Sequence, residues 1–371
     1  MVSTNNRPVV LSIGIIAWNE ERSLPATLQS LFGQSVFKRL CERQQRAEIL
    51  VVANACTDRT VAVAREIFER AAREHPWAEG FVARVIELKE RGKANAWNHF
   101  IHEGSAPEAR YLCSMDADIT FHHADTVHNL MATLETNPHA RASTGRQWKD
   151  IAFKKNPSLS ERISLATSRT SGGNQGYICG QLFCLPVEVA RNLYIPRDLG
   201  ATEDGFIKQM VCTEFLTSEA DLSRIPLAPD AAHIFEAYLA PRTVMNNQKR
   251  QMIGQTIVHV LIEHLKTFSP QHRRALADTL RREEKRDPVW LKKLVAAHLH
   301  RNRYFWRLFP DLLTFRFKPL AEKKGLRRLA YLPVACVGFI VTLIACARAH
   351  KALRQGVTDY WPKAERQAAR A

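Results

Sequence analysis

Two carboxylates stand one residue apart at the end of an apolar stretch that runs from Tyr111 to Ile119. The residues before Asp116 and Asp118 have the character of a buried strand, and the carboxyl end of a strand is where a sheet opens into a ligand crevice. Acids at this spacing can share one divalent cation, whose other positions stay open to water and to a substrate's phosphates. The pair therefore indicates a nucleoside diphosphate site, and the alternative is a turn with two solvated aspartates.

Four strands, each followed by a helix, are predicted to position these side chains. The first three strands comprise residues 9–17, 47–53 and 81–88, and the acid pair ends the fourth. In the helix predicted after the first strand, Leu24, Leu28 and Leu31 mark one face and Ser23 is the N-cap. The alternation of strands and helices predicts an α/β fold with a doubly wound, mostly parallel sheet. The loops that follow the strands emerge at one edge of such a sheet, so Glu20, Asp58 and Lys93 should converge with the acid pair.

Length and charge narrow the class of protein. With 371 residues, 46% of them hydrophobic, the chain can bury a sizeable core and is predicted to be globular. A net charge of +16 favours anionic partners such as nucleic acid, an acidic membrane face or phosphorylated small molecules. The eight scattered cysteines form no C-x-x-C pair, and residues 1–8 show no apolar leader, so a reducing cytosolic compartment is expected.

The motifs in the loops after the strands indicate which kind of nucleotide site the chain could form. The chain contains no G-x-G-x-x-G after the first strand and no G-x-x-x-x-G-K-[ST], which argues against a dinucleotide site and a P-loop. It reads A-W-N-E-E, N-A-C-T-D-R-T, G-K-A-N-A-W-N and D-A-D after the four strands, and later G-G-N-Q-G and T-E-D. In their order and spacing, these motifs over residues 9–254 resemble the family 2 inverting glycosyltransferases, which have the Rossmann-like GT-A fold.

The resemblance implies roles on the donor side of the site. Asp118 would bind Mn²⁺ or Mg²⁺ that bridges the donor phosphates, with Asp116 against the ribose and the metal. Asp58 would accept from the nucleobase, Lys93 would reach the base or the phosphates, and Glu20 would brace the nucleoside. For these three residues, the alternatives are a helix N-cap, a solvated first-turn lysine and a first-turn acid.

The resemblance also implies an acceptor side. Asp204, in Thr202-Glu203-Asp204, would take the proton of the acceptor hydroxyl in a single displacement that inverts the anomer, with Glu203 as its neighbouring catalytic candidate. The alternative is that both acids only cap the helix that follows. His233 would complete the metal shell unless it is a core or surface histidine. Arg250 would cover the diphosphate, and the alternative is an exposed helical arginine.

The chain departs from the family members that build long polymers. Those members have a Q-x-x-R-W motif, whereas this chain reads Asn247-Gln248-Lys249-Arg250-Gln251-Met252 and lacks the tryptophan. We therefore predict non-processive transfer of one or a few sugars from a nucleotide-diphosphate donor, with a UDP-sugar expected. A lipid-linked or saccharide acceptor in glycolipid or cell-envelope polysaccharide synthesis is expected by analogy with the family.

The catalytic domain is predicted to comprise residues 1–254, with a nucleotide-sugar half at 9–140 and an acceptor half at 141–254. Beyond it the apolar period becomes helical and the charge becomes strongly basic. We predict basic amphipathic helices over residues 255–328, in which the segment 304–320 mixes aromatic residues, arginines and leucines as interfacial helices do. The alternative for this segment is packing against the main domain.

An uncharged segment near the C-terminus is long enough to insert into a membrane. Residues 329–347 would extend about 28 Å as a helix, close to the thickness of a hydrocarbon core. We predict a transmembrane or re-entrant segment here, followed by a basic tail at 348–371, and the alternatives are a surface-lying helix and a buried helix. Basic residues flank both ends and do not set an orientation. The catalytic domain is expected in the cytoplasm, attached to the cytosolic face of the inner or plasma membrane.

Two other functions compete with glycosyl transfer. A nucleic-acid-binding protein would use the positive charge, but the basic residues cluster in the tail and no binding motif is recognised, so nucleic acid is not an expected partner. A nucleotidyltransferase that makes the nucleotide sugar should have a glycine-rich, basic loop after the first strand. This chain has Trp18-Asn19-Glu20-Glu21 there.

Overall fold

The structure, a computed structural model, describes residues 7–168, 176–200, 202–302, 317 and 325–358. The chain divides into a sheet unit and a helical unit. The sheet unit comprises Met1–Ile195, Glu203–Ala237 and Phe268–Arg282, and the helical unit comprises Pro196–Thr202, Tyr238–Thr267 and Glu283–Ala371. Most of the predicted interfacial segment 304–320 and the glycine-rich residues 172–175 lie outside the described residues.

A single mixed sheet organises the described part of the sheet unit. Its strands are β1 (Val9–Ala17), β2 (Arg46–Asn54), β3 (Phe81–Leu88), β4 (Tyr111–Asp116), β5 (Ile119–Phe121), β6 (Ser143–Lys149), β7 (Leu182–Pro186) and β8 (Leu227–Phe235). They are ordered β3-β2-β1-β4-β7-β6-β8-β5. The pairs β2–β3, β1–β2, β1–β4 and β6–β8 are parallel, whereas β4–β7, β6–β7 and β5–β8 are antiparallel. The predicted α/β fold is confirmed, with all three antiparallel pairs in the half of the sheet beyond β4.

Helices alternate with the parallel strands as predicted. Those that begin in the sheet unit are α1 (Leu24–Phe32), α2 (Val36–Glu42), α3 (Thr60–Glu74), α4 (Lys93–His99), α5 (Thr126–Thr136), α6 (Leu159–Ser168), α7 (Val187–Asn192), α8 (Glu203–Cys212), α10 (Pro270–Arg274) and α11 (Leu276–Arg286). Leu24, Leu28 and Leu31 of α1 share one helix face and are fully buried in the core cluster, which confirms the predicted periodicity. The β1 run that they help to cover is buried along its whole length.

A close backbone approach brings the end of α4 onto the sheet. Gly14 of β1 lies against the ring of Phe100, which directly follows α4, and a Cβ atom at Gly14 would be 2.4 to 2.5 Å from ring carbons. Both residues are in the buried interior of the sheet unit. The absence of a side chain at Gly14 therefore fixes how closely α4, with Lys93 at its first position, approaches β1.

The helical unit contains α9 (Pro241–Lys266), α12 (Trp290–Arg301) and α13 (Leu326–Arg354), which contact one another. Gly254 of α9 packs directly on Thr202, because a Cβ atom there would lie 2.0 Å from the threonine hydroxyl oxygen. The predicted hydrophobic segment lies within α13. Among the described residues, α13 is the one helix whose length and composition would allow it to cross a bilayer.

We expect Gly14→Ala to lower the free energy of unfolding by about 1–3 kcal/mol, because an added methyl group would force the Phe100 ring and the strand apart. Chemical denaturation followed by circular dichroism measures the loss. Gly33→Ala is the matched control, since its Cβ atom would meet only backbone oxygens at 3.4 Å or more and its φ of −74° suits alanine. Equal losses in the two variants would contradict this account of Gly14.

Candidate functional site

Hydrogen bonds join the loop after β1 to the loop after β2 at the carboxyl edge of the sheet. The backbone N–H of Thr57 donates to Oδ1 of Asn19 at 2.7 Å, and the backbone N–H of Glu20 donates to Oγ1 of Thr60 at 2.7 Å. Asn19 adopts a left-handed φ of 55°, which is uncommon for residues with a side chain and occurs often at functional sites. The two loops therefore form one wall of the candidate site.

Glu20 and Asp58 lie on this wall, and their carboxylates have local partners. Asp58 accepts from the backbone N–H of Thr60 at 3.0 Å and from that of Glu21 at 3.2 Å. It precedes Arg59, the N-cap residue of α3, so it is not the N-cap that the sequence left open. The predicted capping role of Ser23 is wrong. Ser23 occupies the N-cap position of α1, but its hydroxyl donates to the carboxylate of Glu20 and makes no capping bond. A charged acceptor makes the stronger hydrogen bond, which accounts for the difference.

The loop between β3 and α4 is attached to the same wall. The backbone N–H of Gly92 donates to Oδ1 of Asn54, the last residue of β2, at 2.9 Å. The guanidinium of Arg91 lies 3.6 Å from the centre of the Trp18 indole ring, within the range of a cation–π contact. Side-chain contacts thus hold together the ends of β1, β2 and β3. These contacts lie next to Lys93, the first residue of α4.

Lys93 forms two ion pairs at the centre of the candidate site. Its Nζ lies 3.1 Å from Oδ1 of Asp116 at the end of β4 and 2.6 Å from Oε1 of Glu203 at the start of α8. The three side chains are 14%, 24% and 6% exposed, respectively. Desolvation alone would lower the pKa of Lys93, but the charges of Asp116 and Glu203 outweigh it and raise that pKa. The lysine is therefore a fixed cation that connects α4, β4 and α8.

Three carboxylates act on one another around this lysine. Burial and the negative charges of Asp118 and Glu203 raise the pKa of Asp116 to about 6, against the attraction of Lys93. Lys93 is shared between Asp116 and Glu203. A divalent cation would reduce the repulsion between these carboxylates, and carboxylate oxygen is the ligand that Mg²⁺ and Mn²⁺ prefer. The acid pair therefore fits such an ion.

Metal ligands beyond the acid pair are not assembled in advance among the described residues. Within those residues, no group of three or more His, Cys, Asp or Glu side chains is arranged to hold a metal ion. A hard divalent cation commonly takes one or two carboxylates from the protein and its other ligands from water and substrate phosphates. Asp116 and Asp118 can supply these one or two carboxylate ligands.

His233 lies on β8 and is fully buried. Its Nε2 lies 3.2 Å from the amide oxygen of Gln181, so Nε2 carries the proton in a neutral ring, and desolvation lowers the pKa of His233 to about 4. Nδ1 is buried and has no hydrogen-bond partner among the described residues. The burial matches the core histidine that the sequence left open, and the unpartnered lone pair matches a metal ligand. Its ligand role stays a prediction.

Asp204 lies at the second position of α8, next to Glu203. Its Oδ1 accepts from the backbone N–H of Gly205 at 2.7 Å, and a Cβ atom at Gly180 would lie 3.3 Å from its Oδ2. Gly180 therefore allows the chain before β7 to approach this carboxylate closely. Burial, followed by the charges of Cys179 and Asp204, raises the pKa of the Tyr177 hydroxyl. The structure thus brings a phenol and a glycine to the candidate base.

Arg250 lies on α9 in the helical unit. Its side chain is half-buried and its Nε is buried without a hydrogen-bond partner among the described residues, which differs from the exposed helical arginine that the sequence left open. A buried guanidinium nitrogen without a partner is costly. Its role at the diphosphate stays a prediction.

Three residues of the site were missed in the sequence: Asn54, Tyr177 and Gln181. Asn54 had a signal, because it is a polar residue that directly ends an apolar strand, and its buried side chain holds Gly92. Tyr177 and Gln181 had none, since their importance comes from neighbours that are distant in sequence, Asp204 and His233. Only the folded chain brings these pairs together.

A mixed α/β sheet flanked by helices, with a lysine and acids at the carboxyl ends of its parallel strands, defines a GT-A-like fold. Residues 12–193 match the model of glycosyl transferase family 2. This part of the chain, which carries the loops after β1 to β4, belongs to that family. No curated protein matches the sequence.

Several solved structures are similar to the chain at low sequence identity. Residues 1–349 of TarS from S. aureus are 15% identical, with a TM-score of 0.46, over 94% of this chain and 92% of that chain. A longer TarS chain is 16% identical, with a TM-score of 0.44, over 74% of this chain and 44% of that chain. Glucosyl-3-phosphoglycerate synthase from Mycobacterium tuberculosis, in complex with Mn²⁺, UDP-glucose and phosphoglyceric acid, is 13% identical, with a TM-score of 0.43, over 71% and 82% of the two chains.

We expect Lys93→Met to lower the free energy of unfolding by about 3 kcal/mol, because it leaves Asp116 and Glu203 without their cation. Lys93→Met/Glu203→Gln should recover part of the loss, since it removes one of the uncompensated charges. Thermal and chemical denaturation of the purified variants measure both effects. Lys38→Met, which removes an exposed lysine 3.9 Å from Glu42, is the control and should cost less than about 1 kcal/mol. No recovery in the double variant would contradict the pairing.

Proposed function

We propose that the protein is an inverting glycosyltransferase that moves a sugar from a nucleotide-diphosphate donor, with UDP-sugar expected, to a hydroxyl group of a lipid-linked or saccharide acceptor. The family match supports the reaction class. The observation that carries the proposal is the position of Lys93, which pairs with Asp116 and with Glu203 at once. One cation thereby holds the predicted donor acids beside the segment that contains the predicted base.

The donor side is assigned to the joined loops and the acid pair. Glu20 and Asp58, on the wall formed by the first two loops, would contact the nucleoside. Asp116 and Asp118 would hold Mn²⁺ or Mg²⁺, with His233 as a further ligand. The ion, when bound, stabilises the negative charge that develops on the leaving nucleoside diphosphate. Lys93 would favour the ionised form of Asp116 and hold its carboxylate in position for the metal ion.

The acceptor side is assigned to the start of α8. Asp204 would accept the proton of the acceptor hydroxyl while that oxygen attacks the anomeric carbon from the face opposite the diphosphate. The new glycosidic bond forms as the bond to the diphosphate breaks, so one displacement inverts the anomer. Glu203 would position Lys93 and the first turn of α8, since it is more buried than Asp204 and already paired. Arg250 would cover the diphosphate.

A membrane-associated, non-processive enzyme is the form of this function that the sequence supports best. The chain lacks the tryptophan of the polymer-building motif, and its C-terminal region is basic and contains the apolar helix α13. Attachment to the cytosolic face would bring the site to lipid-linked acceptors of glycolipid or cell-envelope polysaccharide synthesis. This pathway assignment follows from the family and from the membrane attachment together.

We expect UDP to bind the purified protein in the presence of Mn²⁺, and Asp118→Asn to weaken that binding at least about tenfold, because the variant removes a charge from the metal site. Isothermal titration calorimetry with and without Mn²⁺ measures the effect. Asp125→Asn is the matched control, since Asp125 is an exposed carboxylate that pairs with Arg39. If UDP, GDP and CDP all fail to bind with or without Mn²⁺, the donor-site assignment is wrong.

We expect Asp204→Asn to reduce kcat by about 10²- to 10⁴-fold while the affinity for UDP changes less than about twofold, because the amide cannot accept the proton. Glu203→Gln should instead weaken UDP binding and lower stability through the loss of its ion pair with Lys93. Initial rates of UDP release from a UDP-sugar that the protein turns over, together with calorimetry, separate the two. An Asp204→Asn variant with unchanged kcat would exclude Asp204 as the base.

A further inference from the structure

The described side chains of α13 divide into a buried and an exposed stripe. Thr342, Ala345, Cys346, Ala349 and Leu353 are buried and recur at intervals of one, three or four residues. These intervals place them on one side of the helix. Except for Ala352, which is also buried, the described side chains between them are more exposed, so α13 has one covered and one uncovered face.

The covered face holds the C-terminal half of α13 within the helical unit. α13 contacts both α9 and α12, and its residues Ala345, Cys346 and Ala349 are fully buried. Small side chains let helix backbones approach closely, and each buried group adds apolar area removed from water. Passage of the whole helix through a bilayer would require this half to leave its partners.

The uncovered face changes character along the helix. Its N-terminal part, the apolar stripe, consists of Leu332, Val337, Ile340 and Ile344, which are 44%, 62%, 55% and 41% exposed. Its C-terminal part, the basic end, consists of the exposed residues Arg348, Lys351 and Arg354. From Val337 onward, the residues of the two parts follow one another at intervals of three or four. Exposed apolar side chains in a contiguous row indicate an interaction surface rather than ordinary surface residues.

The uncharged part of α13 that precedes the covered face limits what the helix can insert into. Residues 329–341 carry no charge and end where the covered face begins, at Thr342. They rise about 18 Å, whereas a bilayer's hydrocarbon core is about 30 Å thick. The basic end begins one turn after Ile344, with Arg348. An apolar surface of this length matches one leaflet, and the basic end would then lie among the lipid headgroups.

We propose that the apolar stripe of α13 inserts into one leaflet of an anionic bilayer while the covered face stays packed on α9 and α12, so that both ends of α13 remain on the same side of the membrane. The proposal deepens the membrane attachment given above and does not depend on the transfer reaction. Lys323, Lys324, Arg327 and Arg328 precede or begin the helix in the sequence, so both flanks carry the charge that binds anionic headgroups.

The charge of the chain selects a lipid surface over a second copy of the protein. Each chain carries a net charge of +16, and a parallel pairing of two α13 helices would bring their basic ends together. An anionic bilayer instead offers an apolar interior to the apolar stripe and negative headgroups to the basic end. One anionic bilayer can therefore bind both the apolar stripe and the basic end.

Vesicle flotation of the full chain tests the apolar stripe. The protein should float with vesicles of phosphatidylcholine mixed with phosphatidylglycerol, and Val337→Asp/Ile340→Asp should reduce the bound fraction at least about tenfold. Val289→Asp is the matched control, because it places an aspartate at an exposed apolar position of the helical unit, at the N-cap of α12, where an acid is favourable. Equal binding by the two variants would overturn the proposal.

A charge reversal tests the basic end. Lys351→Glu/Arg354→Glu should lower binding to the anionic vesicles at least about fivefold and should have little effect on the weaker binding to pure phosphatidylcholine. Arg70→Glu/Arg73→Glu is the matched control, since both arginines are exposed at the same spacing on α3. Equal loss of anionic binding in the two double variants would show a dependence on net charge alone and would overturn the assignment to α13.

Labelling from one side of the membrane tests the topology. In a Cys41→Ser/Cys56→Ser/Cys336→Ser background, whose remaining native cysteines are buried, a cysteine introduced at Lys324 or at Gln355 should react with an impermeant maleimide in inside-out membrane vesicles. Reaction from opposite sides would show a spanning helix and overturn the proposal, as would a lipid-free dimer that Val337→Asp dissociates. The vesicle assays contain no nucleotide or acceptor and the UDP calorimetry contains no lipid, so failure of either proposal leaves the other intact.

Discussion

The shared ion pairs of Lys93 are the constraint on which the candidate site depends. Carboxylates that leave bulk water must be paired, and this one lysine pairs with both Asp116 and Glu203. The negative charges of Asp118 and Glu203 act on Asp116 against that pairing. The proposed metal ion would relieve a repulsion that folding has already created, and would find the side chains that hold it already in position.

Such a cluster requires a scaffold that holds three elements in register. The lysine begins α4, Asp116 ends β4 and Glu203 begins α8, and these elements are far apart in the sequence. The parallel pairing of β1 with β4 fixes the position of Asp116 relative to β1. The close contact between Gly14 and Phe100 sets the position of α4, and therefore of Lys93, on the sheet. Gly14, in the middle of β1, therefore helps to position the side chains of the candidate site at the carboxyl end of that strand.

The parallel half of the fold could be predicted because its signals are local. β1 and β3 have the predicted bounds, since an apolar run that ends in polar loop residues marks a strand that is buried in the sheet. The antiparallel half, from β6 to β8, was not predicted strand by strand, because its pairings join residues such as Thr144 and Phe183 that are distant in sequence. Ser23 was placed correctly, but its partner depends on the conformation of Glu20.

The same limit applies to the C-terminal helix, because its mean hydropathy does not show which face of the helix is exposed. A hydropathy window adds the side chains of all faces, so a helix with a buried small-residue face and an exposed apolar face scores like one surrounded by lipid. In α13 the alanines that raise the average lie mostly on the face that packs within the helical unit. The apolar surface that remains for the proposed contact with lipid is therefore shorter than the uncharged segment that encodes it. The proposed topology rests on the exposed face of the helix and not on its count of apolar residues.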